Sequence, residues 1–158
     1  MNPKILSLSD MRRRADEIRR AGQKLVLTNG CFDLLHLGHV RYLQEARRLG
    51  DILVVAVNGD QSVRALKGEG RPLNGEEDRA EVLAALECVD YITIFAEPRV
   101  TGVIEALRPA IYVKGGDYTP ETLDPDEVGA LKKVGAEIRT LALVPGKSTS
   151  AIIARMKC

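Results

Sequence analysis

Tryptophan is absent from this 158-residue chain, which holds two phenylalanines, two histidines and three cysteines and carries a net charge of +1. Each shortage excludes something. Without a basic excess there is no electrostatic footprint for nucleic acid or for an anionic membrane. With so few aromatic rings to stack on bases, an RNA-binding module is disfavoured as well. No apolar run approaches the roughly 18 residues of a membrane span, and the N-terminus has early charges and no apolar signal core. Cys31, Cys88 and Cys158 lie far apart with no metal-ligand pairing, which fits a reduced, cytoplasmic setting.

What remains is ordinary globular material, 45% hydrophobic and 28% charged, in a length suited to one domain with a substantial core. The chain is organised around Leu25 to Leu43. An apolar run, Leu25-Val26-Leu27, reads as a buried strand and stops at the small polar turn Thr28-Asn29-Gly30. A helical pattern begins near Gly38, with Val40, Leu43 and Ala46 on one face and Arg41, Glu45 and Arg48 on the other. Strand, small-residue turn and helix N-terminus make an anion site, because free amides and the helix dipole point at the turn. His36 and His39, three apart where the helix opens, can face the same anion, and the arrangement suits a triphosphate.

Before this stretch, Ser9 to Ala21 reads as a surface helix with Ser9 as N-cap and Gly22 as its end, part of an N-terminal extension over residues 1–23. Its Arg12-Arg13-Arg14 run is diluted by Asp10, Asp16 and Glu17, as on a solvated face. After it come strands at Asp51–Val57, Tyr91–Phe95, Ala110–Val113 and Glu137–Leu143. Helices are expected over Gln61–Leu66, Gly75–Glu87 (Val82, Leu83 and Leu86 inward), Val100–Leu107, Asp126–Val134 and Ser148–Met156. Alternation of strand and helix, with near-continuous apolar strands, predicts an α/β fold with a mostly parallel sheet covered on both faces, Rossmann-like in three α/β/α layers. Ligands of such sheets bind at the carboxyl ends of strands, where the polar clusters of this chain fall.

Gly30-Cys31-Phe32-Asp33 followed by His36-Leu37-Gly38-His39 resembles the GxFDxxHxGH signature of the cytidylyltransferase-like nucleotidyltransferases. That resemblance implies a five-stranded sheet of order 3-2-1-4-5 in a single domain, with nucleotidyl transfer as the activity. Such transfer needs a held triphosphate, an aligned phosphate nucleophile and stabilised charge on departing pyrophosphate. Thr28, Asn29, Gly30, Cys31, Phe32 and Gly38 suit the first of these, and His36 and His39 the last. Cys31 is read as a small residue packed under the turn, since neither the resemblance nor a third histidine makes it a nucleophile.

The remaining sites rest mainly on the resemblance. Lys67 and Arg71 lie on the glycine-rich Lys67–Pro72 loop, which is expected to be a lid, with Lys67 catalytic. Arg71, Arg79, Asn58 and Asp60 are expected at the sugar phosphate, although Gly59 stands where relatives often carry serine. Lys114, Gly115, Gly116 and Asp117 are placed at the nucleoside, and Ser148, Thr149 and Ser150 at the triphosphate. Mg2+ is expected with ATP, without a dedicated protein cage.

The extended runs VAVNGD, LKGEGRPLN, ALECVDY, VKGGDY and KSTSAII resemble the adenylyltransferase branch that acts on D-glycero-β-D-manno-heptose 1-phosphate in ADP-heptose synthesis for lipopolysaccharide. A cytidylyltransferase for glycerol 3-phosphate or a phosphorylated amino alcohol is the alternative, followed by an inactive nucleotide-binding module. Many relatives carry a sugar kinase before this domain. For this chain the expectation is a separate heptose kinase upstream, ATP and a sugar 1-phosphate as partners, and a homo-oligomer of two or more copies.

Overall fold

The computed structural model describes residues 1–116, 119 and 121–157. Five strands, β1 (Leu25–Gly30), β2 (Ile52–Asn58), β3 (Tyr91–Phe95), β4 (Ile111–Gly115) and β5 (Glu137–Leu141), form one sheet. All pairings are parallel and the order is β3-β2-β1-β4-β5, as the motif resemblance implies. The helices are α1 (Leu8–Arg20), α2 (Leu37–Arg48), α3 (Asp60–Lys67), α4 (Glu76–Ala84), α5 (Thr101–Leu107), α6 (Pro125–Val134) and α7 (Thr149–Met156).

The two-residue period of the strands sorts their side chains into two cores. Leu25, Leu27, Val54, Ala56 and Tyr112 face Met11, Ala15 and Ile18 of α1, Val103, Ile104 and Leu107 of α5, and Ala130 and Leu131 of α6. Val26, Leu53, Val55, Val57, Ile92, Ile111 and Val113 face Leu43 and Ala46 of α2 and Ala80, Leu83 and Ala84 of α4. Burying each such aliphatic side chain stabilises the fold by about 1.5–3 kcal/mol, so the central strands are the firmest part of the molecule. β5, at the sheet edge, is largely exposed.

Several boundaries move for local reasons. Ser7, not Ser9, caps α1, its hydroxyl accepting from the Asp10 amide at 3.1 Å. Residues Thr28 to Gly30 continue β1 in register with Val55 to Val57 of β2, so the turn begins only after them, at Cys31. Val82 stands 52% exposed rather than inward, because α4 buries the 79-80-83-84 stripe instead. Arg108 ends α5 in the left-handed region at φ 49°, one residue before Pro109. The N-terminal segment adds to the β3 edge, the Leu6 amide donating to the Ile92 carbonyl at 2.9 Å and the Ile92 amide to Lys4 at 2.9 Å.

Candidate active site

The carboxyl ends of β1, β2 and β4 open into a cleft of about 600 Å³. The loop from β1 to α2 supplies its centre. Phe32 adopts φ 49°, a left-handed conformation uncommon for a residue with a side chain, and its ring stands 5.4 Å from that of His39. Gly30 makes room for this turn, since a Cβ there would lie 2.8 Å from the Phe32 ring.

The two histidines cap the helix that carries them. His36 is the N-cap of α2, and its Nδ1 accepts from the Gly38 amide at 3.0 Å. His39 Nδ1 accepts from the His36 amide at 3.3 Å, completing a capping box. The rings lie 3.9 Å apart between centroids. A nitrogen that accepts from an amide carries no proton, so both neutral imidazoles hold theirs on Nε2. Burial, then the charge of His36, lowers the His39 pKa to about 4; burial and Lys147 lower that of His36. Neutral rings that keep their N–H on Nε2 result. Gly38 belongs to the same device, since a Cβ there would sit 2.8 Å from His36 Cε1.

A second helix N-terminus meets the first. Ser148 caps α7, its Oγ accepting from Ala151 at 3.0 Å, and Thr149 Oγ1 donates to the Leu34 carbonyl at 2.9 Å. Lys147, Ser148, Thr149 and Ser150 therefore line the cleft beside His36 and Gly38. On the β2 side stand Lys67, at the end of α3, and Arg71. Lys114 and Gly115 line it at the end of β4, together with Asn29, Gly30, Cys31, Phe32 and Asn58. Burial raises the Cys31 pKa against the pull of Lys67, Arg79 and Arg71, so a neutral thiol lies on the cleft wall rather than packed beneath the turn.

Four expected ligands do not reach the cleft wall. Thr28 is fully buried, its hydroxyl donating to the Val113 carbonyl at 3.0 Å and lying 2.6 Å from the Tyr42 hydroxyl, so it ties β1 to β4 and α2. Arg79 is 1% exposed and donates to the carbonyls of Asn74, Cys31 and Asn58 and to Asp60 Oδ1, at 2.7–2.9 Å. Its charge braces the floor of the cleft instead of meeting a phosphate. Asp60 is taken up by that ion pair, and the Gly116 amide by the Leu141 carbonyl at 2.9 Å. Asp117 lies outside the described residues.

The Lys67–Pro72 loop is only partly free. Asp33, within the signature but assigned no role from sequence, accepts from Leu73, Asn74 and Arg71. That anchors the distal end of the loop and leaves Gly68 and Gly70, at φ 91° and 83° with open space around them, as its adaptable part. Tyr42, Glu127, Leu143 and Val144 also line the cleft. A smaller cavity of about 220 Å³ opens at the amino end of the sheet near Arg19, Leu107 and Pro109. It has no comparable convergence of helix termini and imidazoles.

Convergent helix N-termini, neutral imidazole donors and flanking cations are an arrangement chemically suited to anions, at the switch point of a parallel sheet. Residues 27–155 match the family described as cytidylyltransferase-like, and the chain belongs to that family; it is a nucleotidyltransferase. Among curated relatives, the bifunctional protein HldE of Syntrophotalea carbinolica is 53% identical over 138 residues, 87% of this chain and 28% of that protein. The bifunctional protein HldE of Geobacter metallireducens is 49% identical over 150 residues, 95% of this chain and 30% of that protein. The chain thus spans less than a third of the length of these relatives. A lipopolysaccharide core biosynthesis protein from Thermoplasma volcanium superposes with a TM-score of 0.63 at 30% identity, covering 78% of this chain and 98% of that one. Pantoate-beta-alanine ligase from Francisella tularensis shares the fold, with a TM-score of 0.60 at 15% identity over 92% of this chain and 68% of that one. No helix among the described residues is long and apolar enough to cross a membrane.

Proposed function

We propose that the chain transfers AMP from ATP to D-glycero-β-D-manno-heptose 1-phosphate, giving ADP-heptose and pyrophosphate in the cytoplasm for lipopolysaccharide core synthesis. The observation that carries the chemistry is the pair of Nε2–H donors, fixed by the capping box at the N-terminus of α2. The choice of substrate is supported by identity to the HldE proteins and by likeness to a lipopolysaccharide core biosynthesis protein.

An oxygen of the sugar phosphate attacks the α-phosphorus in line. A new P–O bond forms as the bond to the bridging oxygen breaks, and pyrophosphate leaves with that electron pair. His36 and His39 donate to the charge growing on the bridging and departing oxygens. The N-termini of α2 and α7, with Lys147 and the hydroxyls of Ser148 to Ser150, hold the triphosphate. Lys114 and Gly115 border the nucleoside, while Lys67 and Arg71 serve the phosphates on the β2 side.

Magnesium, when bound, neutralises triphosphate charge. No group of three or more histidine, cysteine or acidic side chains gathers among the described residues. Of the cleft carboxylates, Asp33 is occupied by amides and Arg71. Glu127 also lines the cleft, and the expectation stays an ion carried mainly on phosphate oxygens and water.

The substrate must come from a kinase that phosphorylates the anomeric hydroxyl of the heptose. Pyrophosphate release measured with ATP or CTP against a panel of sugar and polyol phosphates tests the assignment. Turnover is expected with ATP and heptose 1-phosphate. Turnover with CTP and glycerol 3-phosphate, and none with the heptose, would replace this substrate assignment with the cytidylyltransferase reading.

A further inference from the structure

One carboxylate joins two parts of the cleft that are about 40 residues apart in sequence. The Asp33 side chain is 1% exposed. Its Oδ2 accepts from the Leu73 amide at 2.8 Å and from Arg71 Nε at 2.9 Å, and its Oδ1 from the Asn74 amide at 2.9 Å. Asn74 Nδ2 returns a bond to the Asp33 carbonyl at 2.9 Å. Burial alone would raise the pKa of this carboxyl, but the two amides and Arg71 outweigh it and hold the group below the usual carboxylate range.

Arg71 spends only Nε on this contact. Among the described residues its Nη1 and Nη2 make no hydrogen bond or ion pair, and the side chain lines the cleft. A guanidinium is planar, so fixing Nε fixes the plane and presents the remaining edge as a two-pronged donor of the spacing that phosphate oxygens accept.

Position decides which phosphate. Lys67 and Arg71 come from connections that follow β2, on one side of β1, whereas Lys147 and α7 follow β5, on the other. In-line transfer sets the attacking phosphate and the departing pyrophosphate on opposite sides of the α-phosphorus. We infer that Asp33 is a positioning residue that holds Arg71 as a fork for the phosphate of the acceptor. This rests on the function proposed above and adds to it a residue that acts without touching substrate.

The test reads binding separately from turnover. Calorimetry with D-glycero-β-D-manno-heptose 1-phosphate, and separately with ATP, is run on the wild type, Asp33→Asn, Arg71→Lys and the double variant, with melting temperatures and steady-state kinetics beside it. Asp33→Asn turns one acceptor into a donor facing Arg71 and the amides. It should weaken sugar-phosphate binding about tenfold, with ATP binding and kcat within about threefold of wild type. Arg71→Lys, which leaves Asp33 intact, should lose a similar factor, and the double variant should lose no more than either single one.

A lowered melting temperature with unchanged sugar-phosphate affinity would make Asp33 merely structural and overturn the inference. So would equal weakening of both ligands, or additive losses. If Asp33→Asn does not fold, Arg71→Lys decides, since wild-type affinity in that variant overturns the oriented fork. Sugar-phosphate binding with the expected losses, but no pyrophosphate release, would sink the proposed reaction and leave the Asp33 role standing. No sugar-phosphate binding by the wild type would overturn both.

Discussion

Two helices aim their N-termini into the same cleft and are anchored in opposite ways. α2 is rooted in the core through Gly38, Leu43 and Ala46 and capped by its own two histidines. α7 buries no residue; its described ties at the cleft are the Ser148 cap and the bond from Thr149 to Leu34. The same dipole and amide donors are thus mounted once on a fixed wall and once on a loose one. The fixed wall suits charge that appears only in the transition state, where preorganised donors count most. The loose wall suits a group that must be admitted and released.

The firmest way to break this contrast is to undermine the fixed wall from below. Arg79→Ala leaves Asp60 and three carbonyls without their donor and should cost about 3–5 kcal/mol in urea denaturation. A loss under about 1 kcal/mol would mean that the loop before α2 is held by something else. Next in size, His36→Ala and His39→Ala should each lower kcat by roughly 10²–10³-fold with little change in ATP affinity. Normal kcat in well-folded variants would make the imidazoles caps and nothing more.

Thr149→Val removes the tie between the loose wall and Leu34. ATP binding should weaken by about threefold to tenfold while urea stability stays within about 0.5 kcal/mol. A large fall in stability would show that α7 is not loose at all. The smallest effect is one of pH. His39 titrates at about 4 against a reference value of 6.5, so above 6.5 it is neutral in both folded and unfolded chains. Between 6.5 and about 4 the unfolded chain takes up a proton that the folded site refuses; stability is therefore lost as pH drops through that window and levels off below it. An NMR titration of the His39 ring that gave an ordinary midpoint would show the fixed wall to be wetter than described.

The sequence made strands legible because β2 and β3 are apolar runs bounded by polar or small residues, and burial on both sheet faces leaves little else for such runs to be. Strand order came from the motif resemblance rather than from periodicity. The histidines were legible through spacing, since the i, i+3 relation at a helix start is local. Arg79 reads as a ligand from sequence because it is a charge in a helix next to a cationic loop, and its carbonyl partners lie up to 48 residues away. Asp33 shows no role in the sequence for the same reason, its partners lying 38 to 41 residues on. Local pattern reports helices and caps. It carries no information on which distant backbone groups a buried charge will satisfy.

The reach of Arg79 also bears on how the protein assembles. Its guanidinium closes on residues 5, 19, 21 and 48 positions away, drawn from the β1–α2 loop, the end of β2, the start of α3 and the approach to α4. None of those partners can be satisfied before the chain has been made and folded as far as α4, and each distant closure costs loop entropy before the bonds are gained. β1 and β2 can pair early on hydrophobic contact alone. The floor of the cleft is therefore expected to form late and as one unit during refolding. A fragment that stops short of residue 79 would hold the signature loop yet lack the brace that shapes it.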